Sequence, residues 1–242
     1  MNISSQIITV SDIPVEIVRK DIKNIHLGVY PPVGNVRISV PHHITDENVR
    51  LAIVTRLSWI KMKQEEFKKQ PRQTEREYVA GESHYFQGKR YILEVKEGHG
   101  KHSFCLKNNA RMLLHVSPNT TKENRALVVN NWYRQQLKKI IPNLIEKWQP
   151  IIGKEVKSWG VKKMKTKWGS CNIAERRIWI NLELAKKSPE CLEYILVHEL
   201  VHLHERKHND NFCRLMDKFL PQWRRSRDTL KSEPLAHENW DY

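Results

Sequence analysis

Ser188-Pro189-Glu190-Cys191-Leu192-Glu193-Tyr194-Ile195-Leu196-Val197-His198-Glu199-Leu200-Val201-His202 is the stretch on which the reading of this chain turns. It ends in an H-E-x-x-H arrangement. On an α-helix, residues four apart share a face one turn apart, so the imidazoles of His198 and His202 can close on one Zn²⁺ while Glu199 projects beside them. Local signals support a helix here: Ser188 as N-cap, Pro189 at the first helical position and Glu190 at the positive end of the dipole. Leu192, Leu196, Leu200 and Leu203 recur on one side, and Cys191, Ile195, His198, Glu199 and His202 lie towards another. One face is therefore expected to pack and the other to carry chemistry.

Helix geometry sorts the candidates for a third ligand. His204 is two residues beyond His202, about 200° round the helix, and points away unless the helix has ended. Glu205 is seven residues after His198 and reaches a shared metal if the helix continues. His208 reaches back only if the chain turns soon after His202; its offset of six matches the H-E-x-x-H-x-x-G-x-x-H metalloproteases, with Glu205 standing where their turning Gly would be. Spacing favours His208 and leaves Glu205 open.

Working outward, 242 residues with 39% hydrophobic content can bury one large or two small cores. Lysine and arginine total 42 against 27 acidic residues, giving a formal charge of +15 and a pI near 9.7. Such a surface attracts polyanions, nucleic acid among them, or is simply a solvated basic face. Cys105, Cys171, Cys191 and Cys213 show no C-x-x-C pairing, and no basic leader precedes an apolar run. No apolar stretch approaches the ~20 residues that cross a bilayer. The expectation is a cytoplasmic protein with reduced thiols and no membrane partner.

Along the chain, 15–18, 25–29 and 36–40 read as strands, followed by one helix from Thr45 to about residue 70. A second strand group covers 84–86, 91–95, 102–106 and 112–116, with a turn at Gln87-Gly88. A long helix from Thr120 to about 149 carries Pro142, where a kink or break is expected. Stretches 156–159, 164–168 and 177–181 read as a three-stranded meander that delivers the chain to Ser188. No sequence repeat is visible. The expected fold class is α+β: an N-terminal region, 1–118, with a mainly antiparallel sheet and a helix, then a compact zincin-like core, 119–242, of helices and the meander.

Lys167-Trp168-Gly169-Ser170-Cys171, the strand Ile178-Trp179-Ile180-Asn181, and His198-Glu199-Leu200-Val201-His202 followed by His208 and Phe212 together resemble the YgjP-like, SprT-related zinc metallopeptidases. The resemblance extends upstream through Val36 to Ile60 and through Gln87-Gly88-Lys89-Arg90-Tyr91. It implies one Zn²⁺ per chain held by His198, His202 and His208, with Glu199 as the catalytic carboxylate. It also implies a protein or peptide substrate, and a core shared with SprT-type proteases, some of which digest DNA-bound proteins. Cys171 is an alternative fourth, inhibitory ligand.

The expected chemistry is peptide-bond hydrolysis by a zinc-bound water that Glu199 deprotonates, with an extended substrate pairing along Ile178, Trp179, Ile180 and Asn181. The competing reading is a basic nucleic-acid-binding protein with a structural or vestigial zinc. Lys157, Lys162, Lys163, Lys165 and Lys167 alternate with Trp159 and Trp168, and Arg224 and Arg225 add charge, a mixture suited to phosphate contacts and base stacking.

Overall fold

A computed structural model describes residues 4–30, 34–69, 76–164 and 167–232. These fall into two units, divided at residues 74 and 75. The division expected near residue 118 is thereby displaced. The second strand group buries Leu93, Met112 and Leu114 in the same core as the helices that follow it, so it belongs with them.

The first unit has a four-stranded sheet of β1 (Ser4–Val10), β2 (Ile13–Lys20), β3 (His26–Tyr30) and β4 (Asn35–Pro41), in the order β1-β2-β4-β3. Two of its three pairings are antiparallel, as expected, but the central pair β2 and β4 is parallel. Strand β1 gave little sequence signal: Ile7 is exposed, and its hairpin turn uses Ser11 and Asp12 at positive φ rather than a glycine. The single helix expected after β4 is two, α1 (Asp46–Val54) and α2 (Leu57–Lys69). Thr45 caps α1 by accepting from Asn48 N, and an Arg56 N–H to Ile53 carbonyl bond tightens its end. Val49, Ile53 and Ile60 cover Val15, Ile17, Val36 and Ile38 of the sheet.

The second unit begins with β5 (Ser83–Phe86), β6 (Lys89–Glu97), β7 (Ser103–Leu106) and β8 (Arg111–Val116), ordered β5-β6-β8-β7 with β6 and β8 parallel. Helix α3 (Lys122–Ile152) lays Val129, Tyr133, Leu137, Ile141, Ile145, Trp148 and Ile152 along one stripe. It runs unbroken through Pro142, whose ring is on the exposed side, and ends at Gly153 in the left-handed region.

Three more strands follow, β9 (Ser158–Lys162), β10 (Gly169–Asn172) and β11 (Arg177–Asn181). They do not form a meander. The order is β10-β11-β9, with β11 parallel to β9 and antiparallel to β10. Asn181 supplies the reason. Its side-chain amide donates to the carbonyls of Met164 (2.9 Å) and Lys167 (2.7 Å), its Oδ1 accepts from Met164 N, and its own N–H donates to the Trp168 carbonyl. One buried side chain thus holds the connection that carries the chain across the sheet. The same topology occurs three times: β2-β3-β4, β6-β7-β8 and β9-β10-β11 each place the third strand between the other two, parallel to the first, and each is followed by a helical segment. The repetition is of topology, in segments whose sequences do not repeat.

A short 3₁₀ turn, Leu182–Lys186, leads into α4 (Pro189–Val201), with α5 (Asp210–Phe219) and α6 (Trp223–Ser232) after it. The Gln87-Gly88 turn donates its N–H groups to the Ala185 and Lys186 carbonyls, and a Cβ on Gly88 would stand 3.3 Å from Ser188. The hairpin so abuts the start of α4. Among the described residues no helix is long and apolar enough to cross a membrane.

Asn181→Ala is expected to strip its hydrogen bonds from the carbonyls of Met164 and Lys167 and to cost about 1–3 kcal/mol. Urea denaturation of the variant measures this, and an unchanged midpoint would show that the crossover is held by other contacts.

Candidate active site

Helix α4 is buried on nearly every side, with Cys191, Leu192, Tyr194, Ile195, Leu196, Val197, Glu199, Leu200 and Val201 all inside. The two-faced helix expected from the leucine spacing is replaced by a central one. Ser188 occupies the N-cap position without capping: its hydroxyl donates to Cys191 Sγ (3.2 Å). The helix stops at Val201, with His202 as C-cap; the N–H groups of both His204 and Glu205 donate to the Val201 carbonyl. This early end lets the chain return, and Asn209 then caps α5 by accepting from Phe212 N (3.0 Å).

His198, His202 and His208 converge, with one ligand atom from each lying within 4.8 Å of the others. No other such cluster of histidine, cysteine or acidic residues occurs among the described residues. The ring centroids form a near-equilateral triangle of 4.8, 4.9 and 4.7 Å, and Phe212 packs 4.8–4.9 Å from all three. The Nε2 atoms of His198 and His208 are 2.9 Å apart; tetrahedral ligation at ~2.0–2.1 Å asks for about 3.3 Å, a small adjustment. His202 Nδ1 lies 3.0 Å from the Glu205 carbonyl, which fixes the tautomer that leaves Nε2 free for a metal. His198 Nδ1 is buried without a partner, a burden of about 1–3 kcal/mol.

Burial, and then the neighbouring histidines, push the His198 pKa down to about 3; burial also lowers that of His202. Neutral imidazoles are the form that binds a cation, so the donor set suits Zn²⁺. The other two candidates are employed elsewhere. Glu205 turns its carboxylate to Lys207 N and Asn211 Nδ2, bracing the loop, and His204 places Nε2 2.8 Å from the Ile152 carbonyl at the end of α3.

Glu199 is buried, and burial raises its pKa to about 8, opposed by the charge of Lys167. Gly169 is what makes room for it: a Cβ there would come 2.6 Å from Glu199 Oε1 and 2.8 Å from Cγ. The glycine of the Trp168-Gly169-Ser170-Cys171 run therefore has a steric role that its sequence context alone does not disclose. Tyr194, one turn before His198, brings its ring 5.9 Å from that imidazole and stacks on Trp223.

One open cleft of about 1090 Å³ joins these groups. It is lined by β10 and its flanks from Lys167 to Ala174, by Tyr194, Ile195, His198, Glu199 and His202, and by Arg206 and His208. Cys171 borders it, but burial raises its thiol to about 11, which disfavours the thiolate a fourth ligand requires.

The strand 178–181 does not serve as the expected substrate track. β11 is central, with both edges paired; Ile178 and Ile180 point into the core, Trp179 lies on the other face over Gly160, and Asn181 is committed to the crossover. The sheet edge at the cleft belongs to β10. Of the basic residues expected at a nucleic-acid surface, Lys162 and Lys163 are exposed at the end of β9 and Arg225 on α6. Lys165 lies outside the described residues. Arg224 is engaged in a two-pronged pair with Asp217 and stacks 4.6 Å over Trp223, and Lys167 opens onto the cleft.

Gly169→Ala is expected to force β10 or the Glu199 side chain aside and to destabilise the protein by about 1–3 kcal/mol. A thermal melt checks this, and an unaltered Tm would mean the carboxylate has room that the geometry denies it.

No curated protein matches the chain. Among solved structures it is similar to the metallopeptidase zymogen abylysin of Pyrococcus abyssi, at 22% identity and a TM-score of 0.35, covering 37% of this chain and 90% of that one. The model of the YgjP-like metallopeptidase domain matches residues 23–233, a span that includes the whole of the cleft and its three histidines. On that match the chain belongs to the YgjP-like metallopeptidase family, and it is a hydrolase.

Proposed function

We propose that this protein hydrolyses peptide bonds in protein substrates with one Zn²⁺ held by His198, His202 and His208, Glu199 carrying the proton, and the free edge of β10 aligning an extended chain. The observation that carries the reading is the convergence of three imidazoles beside a buried carboxylate in one open cleft. A bound Zn²⁺ would supply Lewis acidity, polarising the scissile carbonyl and making water a competent nucleophile near neutral pH.

Each residue's part follows from its placement. The Glu205 carbonyl orients His202, and Phe212 packs against all three imidazoles, so the donor atoms are preorganised. Burial favours a proton on Glu199 while a nearby dication would favour the anion, which poises the carboxyl to take a proton from the attacking water and return it to the leaving amine. A substrate strand added to β10 would gain main-chain hydrogen bonds there, because β10 has a strand partner on its β11 side alone among the described residues. Its scissile bond would then pass Gly169 and Glu199.

The alternative, a nucleic-acid-binding protein with structural zinc, draws on the charge of +15 and on exposed Lys162, Lys163 and Arg225. Structural zinc sites are closed by four protein ligands, whereas the cluster here offers three that open on a cleft. Association with nucleic acid would therefore be an addition to peptidase activity. It predicts cleavage stimulated by DNA.

Zinc-loaded protein is expected to cut denatured protein substrates and to lose that activity to a chelator. Glu199→Gln should retain zinc while cleavage falls at least ~100-fold, and His208→Ala should lose zinc. Elemental analysis alongside a mass-spectrometric digest separates the two effects; undiminished cleavage by Glu199→Gln would remove that residue from the mechanism.

A further inference from the structure

Two cations line the cleft without an acidic partner. Lys167 stands two residues before Gly169, at the entry to β10, and Arg206 lies in the loop between His202 and His208. Both are exposed, and among the described residues neither side chain forms an ion pair. Some cations elsewhere in this unit are paired: Lys186 with Glu183, Lys147 with Glu193, Arg224 with Asp217. The single carboxylate lining the cleft is Glu199, and Lys167 is close enough to act on it electrostatically. The remaining lining is polar or apolar, with Ile173, Ala174, Tyr194 and Ile195 along the walls. Two cations thus line a cleft whose one carboxylate is Glu199.

We infer that the cleft selects protein segments carrying Asp or Glu beside the scissile bond, with Lys167 reading the side chain just C-terminal to the cut and Arg206 adding a second positive charge. The inference rests on the peptidase reading above. Its direction comes from the strand. β10 runs from Gly169, beside Glu199, away towards Asn172. A substrate strand pairing antiparallel, the more stable arrangement, runs the opposite way. Residues beyond the cut therefore continue past Gly169 towards Lys167. An acidic side chain there meets an unpaired ammonium at the mouth of a partly desolvated cleft, whereas Lys or Arg meets like charge. The net charge of +15 steers the same segments inward over longer range. Basic proteins are accordingly poor substrates in the absence of a polyanion that recruits them.

The test is digestion of a peptide library by zinc-loaded protein, with new termini read by mass spectrometry, followed by kinetics on matched peptides bearing Asp, Ser or Lys in the first two positions after the cut. Acidic residues are expected to be enriched there, with kcat/KM for the Asp peptide at least ~5-fold above that for the Lys peptide. Lys167→Ala should bring the ratio towards unity and Lys167→Glu should invert it, the Ser peptide serving as internal reference for each variant. Raising salt from about 0.05 M to about 0.5 M should shrink the wild-type ratio. No acidic preference, one confined to the N-terminal side of the cut, or one that survives both Lys167→Glu and Arg206→Glu would overturn the inference. Wild-type protein that cleaves nothing in the library would overturn the peptidase reading itself, and this inference with it.

Discussion

The contact between His202 Nδ1 and the carbonyl of Glu205, 3.0 Å long, joins the end of the buried helix to the loop that follows it. It sets the tautomer of one imidazole and, in the same stroke, the course of the backbone that brings His208 back. Were α4 to continue another turn, Glu205 would lie above His198 and His208 would be carried off along the helix. The end of a helix is here a chemical specification. Glu205 serves it twice, through its carbonyl and through a carboxylate that braces Lys207 N and Asn211.

Rigidity around that turn comes from layers behind it. Helix α4 is enclosed by the stripe of α3, by the small sheet and by α5 and α6, so its metal-facing residues have little freedom to shift. Gly169 allows β10 to approach Glu199 closely, and Asn181 fixes the crossover that puts β10 at the edge of its sheet. Edge and carboxylate are therefore positioned by the same strands. The order β10-β11-β9 leaves that edge beside the carboxylate, where the proposed substrate strand would meet both.

Much of the site was legible in the sequence because its determinants are local. The four-residue interval of His198 and His202 needs only a helix, and the six-residue offset of His208 needs only that the helix end. The sheet order was not legible. A meander and a crossover with the same three strands differ in which strand lies in the middle, and that depends on long-range pairing rather than on alternation within a strand. The expectation of a substrate track on 178–181 failed for the same reason, since Ile178, Trp179 and Ile180 are apolar and near the motif but their strand is central in the sheet. Asn181 likewise was expected to help hold an extended substrate, whereas its side chain is a buried clamp. The unit boundary moved because β5 to β8 and α3 share a core that no composition shift announces. The threefold recurrence of one strand topology stayed hidden for a related reason, its segments being alike in pairing and not in sequence.

The central claim is that three imidazoles, and no thiolate, hold one zinc ion. X-ray absorption at the zinc edge tests it most directly. The account predicts a first shell of nitrogen and oxygen at ~2.0–2.1 Å, with outer-shell scattering from three imidazole rings. A sulfur shell near ~2.3 Å, which would bring Cys171 into the site, or scattering from fewer than three rings, would contradict it.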